Sequence, residues 1–128
     1  MKSVVLCGSR RFKLEMREFG KQLLELGISV YQPYLHSGQD EWEKLSDEYK
    51  KFVALGLTHD HFYKIRMADV VFVYNKDGYS GVSTTLEIGY SVALGKPIYA
   101  LNSDEELCRH VLFRDIVKTP EEFITKLK

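Results

Sequence analysis

Two loops and one glutamate hold the residues of this sequence that could do chemistry. The first loop is Gly8-Ser9-Arg10-Arg11, which closes the apolar run Val4-Val5-Leu6-Cys7. A glycine lets the main chain approach a ligand, a following helix N-terminus favours an anion, and an arginine can fork onto a phosphate. A tight turn with two solvated arginines accounts for the same residues, and the loop is neither GxGxxG nor a P-loop. The second loop runs Asp77-Gly78-Tyr79-Ser80-Gly81-Val82-Ser83-Thr84. Ser83 or Thr84 can cap the helix that follows. Five hydroxyls within the seven residues 79–85 exceed what capping needs, and a sugar or phosphate site would use them. Glu87 comes just after, beside a packed face marked by Leu86, Gly89, Tyr90 and Ala93. That aims it along the mouth of a crevice, where a carboxylate can act as nucleophile or base. A surface glutamate complementing the helix dipole is the plainer reading.

Other polar residues carry weaker signals. Thr58-His59-Asp60-His61 has the composition of a metal site but not the spacing, because adjacent helical residues point in different directions. Asp60 reads more simply as a cap or first-turn acid, and Asp69 as a turn residue ahead of a strand. His36 and His110 have no partner pattern. Cys7 and Cys108 stand far apart in no metal or redox spacing, which points to a reducing, cytoplasmic setting. No metal and no cofactor are expected.

The elements that must position these groups alternate. The spacing predicts strands at Lys2–Gly8, Ile28–Gln32, Asp69–Tyr74, Ile98–Leu101 and Asp115–Val117. It predicts a helix from Leu14 to Leu26 with Met16, Phe19, Leu23 and Leu26 inward and Gly27 as its stop. Two further helices are expected around Trp42–Val53 and Asp60–Ala68, the second capped by Thr58. One more covers Ser83 to Leu94, a short one Asp104–Leu107, and a last one follows the Thr119-Pro120-Glu121-Glu122 capping box. Alternation of this kind gives an α/β, Rossmann-like, doubly wound three-layer sandwich. About five mainly parallel strands in the order 2-1-3-4-5 are expected. In that order the crevice lies at the C-terminal ends of the first and third strands, where the two polar loops are.

Composition bounds the reading. With 128 residues the chain is expected to be a single domain, burying about two-thirds of its unfolded surface. Lys plus Arg number 18 and Asp plus Glu 18, so the basic excess of a nucleic-acid-binding module is missing. No apolar run approaches the ~18–20 residues of a membrane span, and the N-terminal run is too short for a signal peptide. The helix from Trp42 to Val53 carries more large apolar residues than an isolated domain should expose, which favours core or a subunit interface.

Taken together, Ala68-Asp69-Val70-Val71-Phe72-Val73, the glycine and hydroxyl loop, Glu87-Ile88-Gly89-Tyr90 and Ala93-Leu94-Gly95-Lys96-Pro97-Ile98 resemble the nucleoside 2-deoxyribosyltransferase superfamily. The opening Cys7-Gly8-Ser9-Arg10-Arg11 resembles its 2'-deoxynucleoside 5'-monophosphate N-hydrolase branch. The resemblance implies cleavage or transfer at the N-glycosidic bond of a nucleoside or its 5'-monophosphate. It makes Glu87 the nucleophile at the anomeric carbon and gives Asp60 the assisting role, with His61 at the matching offset in the hydrolase branch. Gly8, Ser9 and Arg10, with Ser80, Ser83 or Thr84, would bind the 5'-end of the substrate, and Asp69 joins them as a substrate-binding candidate. Transferases of the superfamily often carry an acidic residue six positions before the glutamate; here that position is Gly81. Assembly into at least a homodimer is also implied. The chemistry is coherent, since breaking an N-glycosidic bond builds oxocarbenium character that a carboxylate can trap, while the leaving base needs a proton. The rival readings are a non-catalytic nucleotide-sensing module on the same fold and an inactive relative kept for assembly.

Overall fold

The computed structural model describes residues 1–33 and 39–128, with the side chains of 39 and 40 also left aside. His36 lies outside the described residues. Five strands form one parallel sheet: β1 (Val4–Cys7), β2 (Val30–Tyr31), β3 (Val70–Val73), β4 (Ile98–Ala100) and β5 (Asp115–Ile116). Their order is β2-β1-β3-β4-β5, as the alternation predicts. The central pair runs in register from Val4 opposite Val70 to Cys7 opposite Val73.

Every residue of β1 and β3 is buried, because both sheet faces are covered. Alternation splits the core in two. Val4, Leu6, Val70 and Phe72 pack towards Met16, Phe19 and Leu23 of α1 (Lys13–Glu25) and Phe123 of α6 (Pro120–Ile124). Val5, Cys7, Val71 and Val73 pack on the other face, with Ile65 of α3 (Asp47–Met67) and Ile88 of α4 (Val82–Ala93). The period of two therefore sends Cys7 towards α3 and α4. At the ends of α1 and α4, Gly27 (φ +87°) and Gly95 (φ +70°) take the left-handed conformation that stops a helix. Thr119 caps α6, accepting from the Glu122 amide, with Pro120 at the first helical position.

Four sequence expectations are corrected. Leu26 lies just past α1 and is exposed rather than inward. The two helices expected between Trp42 and Ala68 are instead α2 (Gln39–Lys44) and the single 21-residue α3. The break falls at Ser46, whose hydroxyl accepts from the Tyr49 amide, while Thr58 sits inside α3 and donates back to the Ala54 carbonyl. Neither Ser83 nor Thr84 caps α4. The helix begins one residue earlier at Val82, with Gly81 in the cap position, and its buried positions are Thr84, Ile88 and Ser91 while Leu86 is exposed. The short helix expected at Asp104–Leu107 lies at Leu107–His110 (α5), because the Asp104 carboxylate turns the chain first. It accepts from the Glu106 amide and pairs with Arg109 through both oxygens. Among the described residues, no helix is long and apolar enough to cross a membrane.

Candidate functional site

The C-terminal ends of β1 and β3 are adjacent, and the chain leaves both into polar loops, as the topology requires of a ligand crevice. After β1, Gly8 turns the chain so tightly that a side chain there would press on Met16 and the Tyr74 carbonyl, both at 3.0 Å. Ser9 follows and accepts from the Arg11 amide, opening the 3₁₀ turn Arg10–Phe12. Arg11 leaves the crevice to stack on Tyr79, its guanidinium 3.6 Å from the ring centre. Arg10 stays and lines a half-enclosed cavity of about 240 Å³. Gly8, Ser83, His61 and Glu87 line the same cavity, and Trp42, Leu57 and Phe62 supply its apolar wall.

Two of the lining residues, His61 and Glu87, meet the fully buried Cys7, so that side chains from three elements converge. Glu87, in the second turn of α4, has its Oε1 3.8 Å from Nε2 of His61 on α3. The same His61 nitrogen is 3.3 Å from Sγ of Cys7, the last residue of β1. His61 and Cys7 are buried and the Glu87 side chain is 14% exposed. Burial pushes the Glu87 carboxyl up to about 8, with the facing Cys7 thiol working in the opposite direction. Burial also lowers His61 to about 4, and the Lys64 ammonium adds to that. The Cys7 thiol is raised well above its usual range, first by burial and then by the Glu87 charge. Around neutral pH the group is therefore a neutral imidazole against a largely protonated carboxyl, not an ion pair. The carboxyl gives up its proton only at a cost, and once ionised it is a poorly solvated, strong base and nucleophile.

Ser83 is exposed at the cavity edge, whereas Ser80 and Thr84 are buried and do not line it, and among the described residues Ser80 Oγ has no hydrogen-bond partner. Asp60 points to solvent one residue from His61 and pairs with Lys64 at 2.8 Å, one helical turn on. It does not line the cavity. Asp69 is at the opposite end of β3 from the crevice. There its carboxylate accepts from the Ser3 amide and hydroxyl, and these bonds hold it below the usual carboxylate range. Cys7, Trp42 and Phe62 join the site without any motif in the sequence that marks them for it. For Cys7 the available signal was its parity with Val5 on β1, directly before the Gly8 turn.

No family model matches the chain, and no curated protein matches it in sequence. Solved structures do match. A 2-deoxyribosyltransferase from Bacillus psychrosaccharolyticus superposes with a TM-score of 0.63 at 21% identity, over 94% of this chain and 89% of that one. The CMP N-glycosidase BcmB of Clostridium botulinum gives 0.53 at 20% identity, over 98% and 97%. A conserved protein from Enterococcus faecalis V583 gives 0.59 at 17% identity, over 99% and 97%. Over nearly its whole length, then, this chain has the nucleoside 2-deoxyribosyltransferase-like fold.

Proposed function

We propose that the protein is an enzyme that cleaves or transfers at the N-glycosidic bond of a nucleoside or nucleoside 5'-monophosphate, with Glu87 as nucleophile. One observation carries the reading: Glu87 borders a cavity at the C-terminal ends of β1 and β3, with His61 against its carboxyl group. The cavity size suits a nucleoside better than a polymer. That the fold is shared with a 2-deoxyribosyltransferase and a CMP N-glycosidase supports it.

In this mechanism the ionised form of Glu87 reacts, its proton having gone to solvent: a carboxylate oxygen bonds to the anomeric carbon while the bond to the base nitrogen breaks, and the electron pair leaves with the base. The departing base takes a proton from a hydrogen-bond donor at the site or from water. Water or a second base then attacks the same carbon and frees Glu87 with retention of configuration. His61, a neutral imidazole against the carboxyl, holds it in place. Trp42 and Phe62 offer flat apolar surface for the base. Gly8, Ser9 and Arg10, with Ser83 at the cavity edge, are the anion-binding rim for a 5'-phosphate. Ser80 and Thr84, both buried, act only through the loop and helix turn that carry Ser83. Asp60, exposed and paired with Lys64, stays outside the cavity and leaves the assisting role to His61, and Asp69 fastens the far end of β3.

A second copy of the chain covers α3 in this reading. Tyr49, Phe52 and Leu55 expose more apolar surface along one helix than a monomer usually leaves bare. The two thiols are unpaired, which fits a reducing, cytoplasmic setting.

The test is a panel of nucleosides and 5'-monophosphates watched for free base. Base release supports the enzyme, and a second added base separates transfer from hydrolysis. Tight nucleotide binding without base release would replace this reading with a sensing module.

A further inference from the structure

We propose that Cys7, His61 and Glu87 together bind a divalent metal ion of the Zn²⁺ class, and that the bound ion withdraws Glu87 from chemistry. Each residue offers one ligand atom, and the three atoms lie within 4.8 Å of one another. The sulfur is 3.3 Å from His61 Nε2, and that nitrogen is 3.8 Å from Glu87 Oε1. A tetrahedral ion with bonds of ~2.3 Å to sulfur and ~2.0–2.1 Å to nitrogen and oxygen needs donor separations of roughly 3.3–3.6 Å. The thiol and imidazole are at the short end of that spacing, and the longer Glu87 side chain, with its oxygen within 4.8 Å of both, rotates inward to complete it.

The donor types select the metal. Thiolate and imidazole favour zinc and its neighbours over magnesium or calcium, which prefer oxygen. Charge also balances: a dication with one thiolate, one carboxylate and one neutral imidazole is a neutral unit. That matters because Cys7 sits in a buried apolar cluster with Ile65, Val73 and Ile88, where a net charge would be costly. Three rigid elements, β1, α3 and α4, hold the donors, so little ordering is needed on binding. His61 and Glu87 line the cavity, which gives the ion a way in and leaves its fourth position to water. Ligation expels the Cys7 thiol proton and any proton on Glu87 to solvent. Metal binding stands on the three donors alone. The loss of activity it causes rests on the N-glycosidase reading.

The experiment uses Co²⁺ as probe on metal-free protein carrying Cys108→Ser, which removes the exposed second thiol. Binding of one ion per chain is expected, with a near-ultraviolet thiolate-to-cobalt band, intense visible bands of tetrahedral cobalt, and bleaching by Zn²⁺. Cys7→Ser should abolish the thiolate band, and His61→Gln should weaken binding at least about tenfold. If Cys7→Ser fails to fold, Glu87→Gln serves instead, keeping the thiolate band with lowered affinity. No thiolate band at millimolar Co²⁺, or a band that survives Cys7→Ser, overturns the proposal. Base release is measured separately. A chain that binds Co²⁺ as described but turns over no substrate keeps the metal site and removes the glycosidase reading. Undiminished turnover with Zn²⁺ bound overturns the withdrawal of Glu87.

Discussion

His61 Nε2 lies 3.8 Å from Glu87 Oε1, the buried imidazole and the largely covered carboxyl facing each other from different helices. One residue earlier, Asp60 faces solvent and pairs with Lys64. A single step of about 100° around α3 thus separates a side chain that touches the proposed nucleophile from one that does not.

This contrast gives the first prediction. His61→Asn should lower kcat by roughly 10²–10⁴-fold if the imidazole exchanges a proton with Glu87 or the base. Asp60→Asn should cost far less, since an exposed ion pair is worth at most about 1 kcal/mol. Steady-state base release from the two variants checks it, and equal losses would place the assisting role on Asp60.

The second concerns stability. Glu87 is raised from 4.5 to about 8, so between those values the folded state holds a proton the unfolded chain has lost. Stability from this group is complete below the unfolded value and falls as pH rises through about 8. Glu87→Gln removes the term, and at pH 7 it should stabilise the fold by roughly 2–4 kcal/mol. Melting curves should show the variant clearly above the unmodified protein at pH 8 and the two converging near pH 5. Indistinguishable curves at both pH values would mean the carboxyl is not desolvated. His61 acts with the opposite sign: lowered from 6.5 to about 4, it destabilises the fold as pH falls through that window.

Much of the fold was legible in the sequence because parallel strands with both faces covered read as continuous apolar runs, as Val4–Cys7 and Val70–Val73 do. Glycine stops at Gly27 and Gly95 were equally plain. The α3 region was not, because in its 21 residues only His61 and Ile65 are buried. A helix with so narrow a buried stripe has no clear period, and Thr58 inside it imitates a cap. Of the site, Glu87 and the Gly8 loop were readable from position after a strand. Cys7 shows only its parity on β1, because the contact joining it to His61 spans 54 residues and leaves no spacing pattern.

Arg10 gives the third prediction. If it holds a 5'-phosphate, monophosphates should bind more tightly than nucleosides, and Arg10→Ala should erase a preference of ~1.5–3 kcal/mol. Calorimetric titration of both ligand classes checks this. Equal affinities in the unmodified protein would make the substrate a nucleoside.

Assembly is the fourth. Exposed Tyr49, Phe52 and Leu55 should be covered by a second copy, giving at least a dimer in light scattering at micromolar concentration. Phe52→Glu should shift the mass towards the monomer. A monomeric unmodified chain would contradict the interface.

The central claim is that Glu87 forms a bond to the sugar. A 2-fluoro-sugar substrate analogue slows release of the glycosyl-enzyme, so intact-protein mass spectrometry reads the bond directly. The account predicts a mass increase of one fluoroglycosyl group, mapped by peptide analysis to Glu87 and missing from Glu87→Gln, whose turnover falls by about a thousandfold, or roughly 4 kcal/mol in barrier. A Glu87→Gln protein that stays folded and keeps near-normal turnover, or an adduct mapped to another residue, would contradict it.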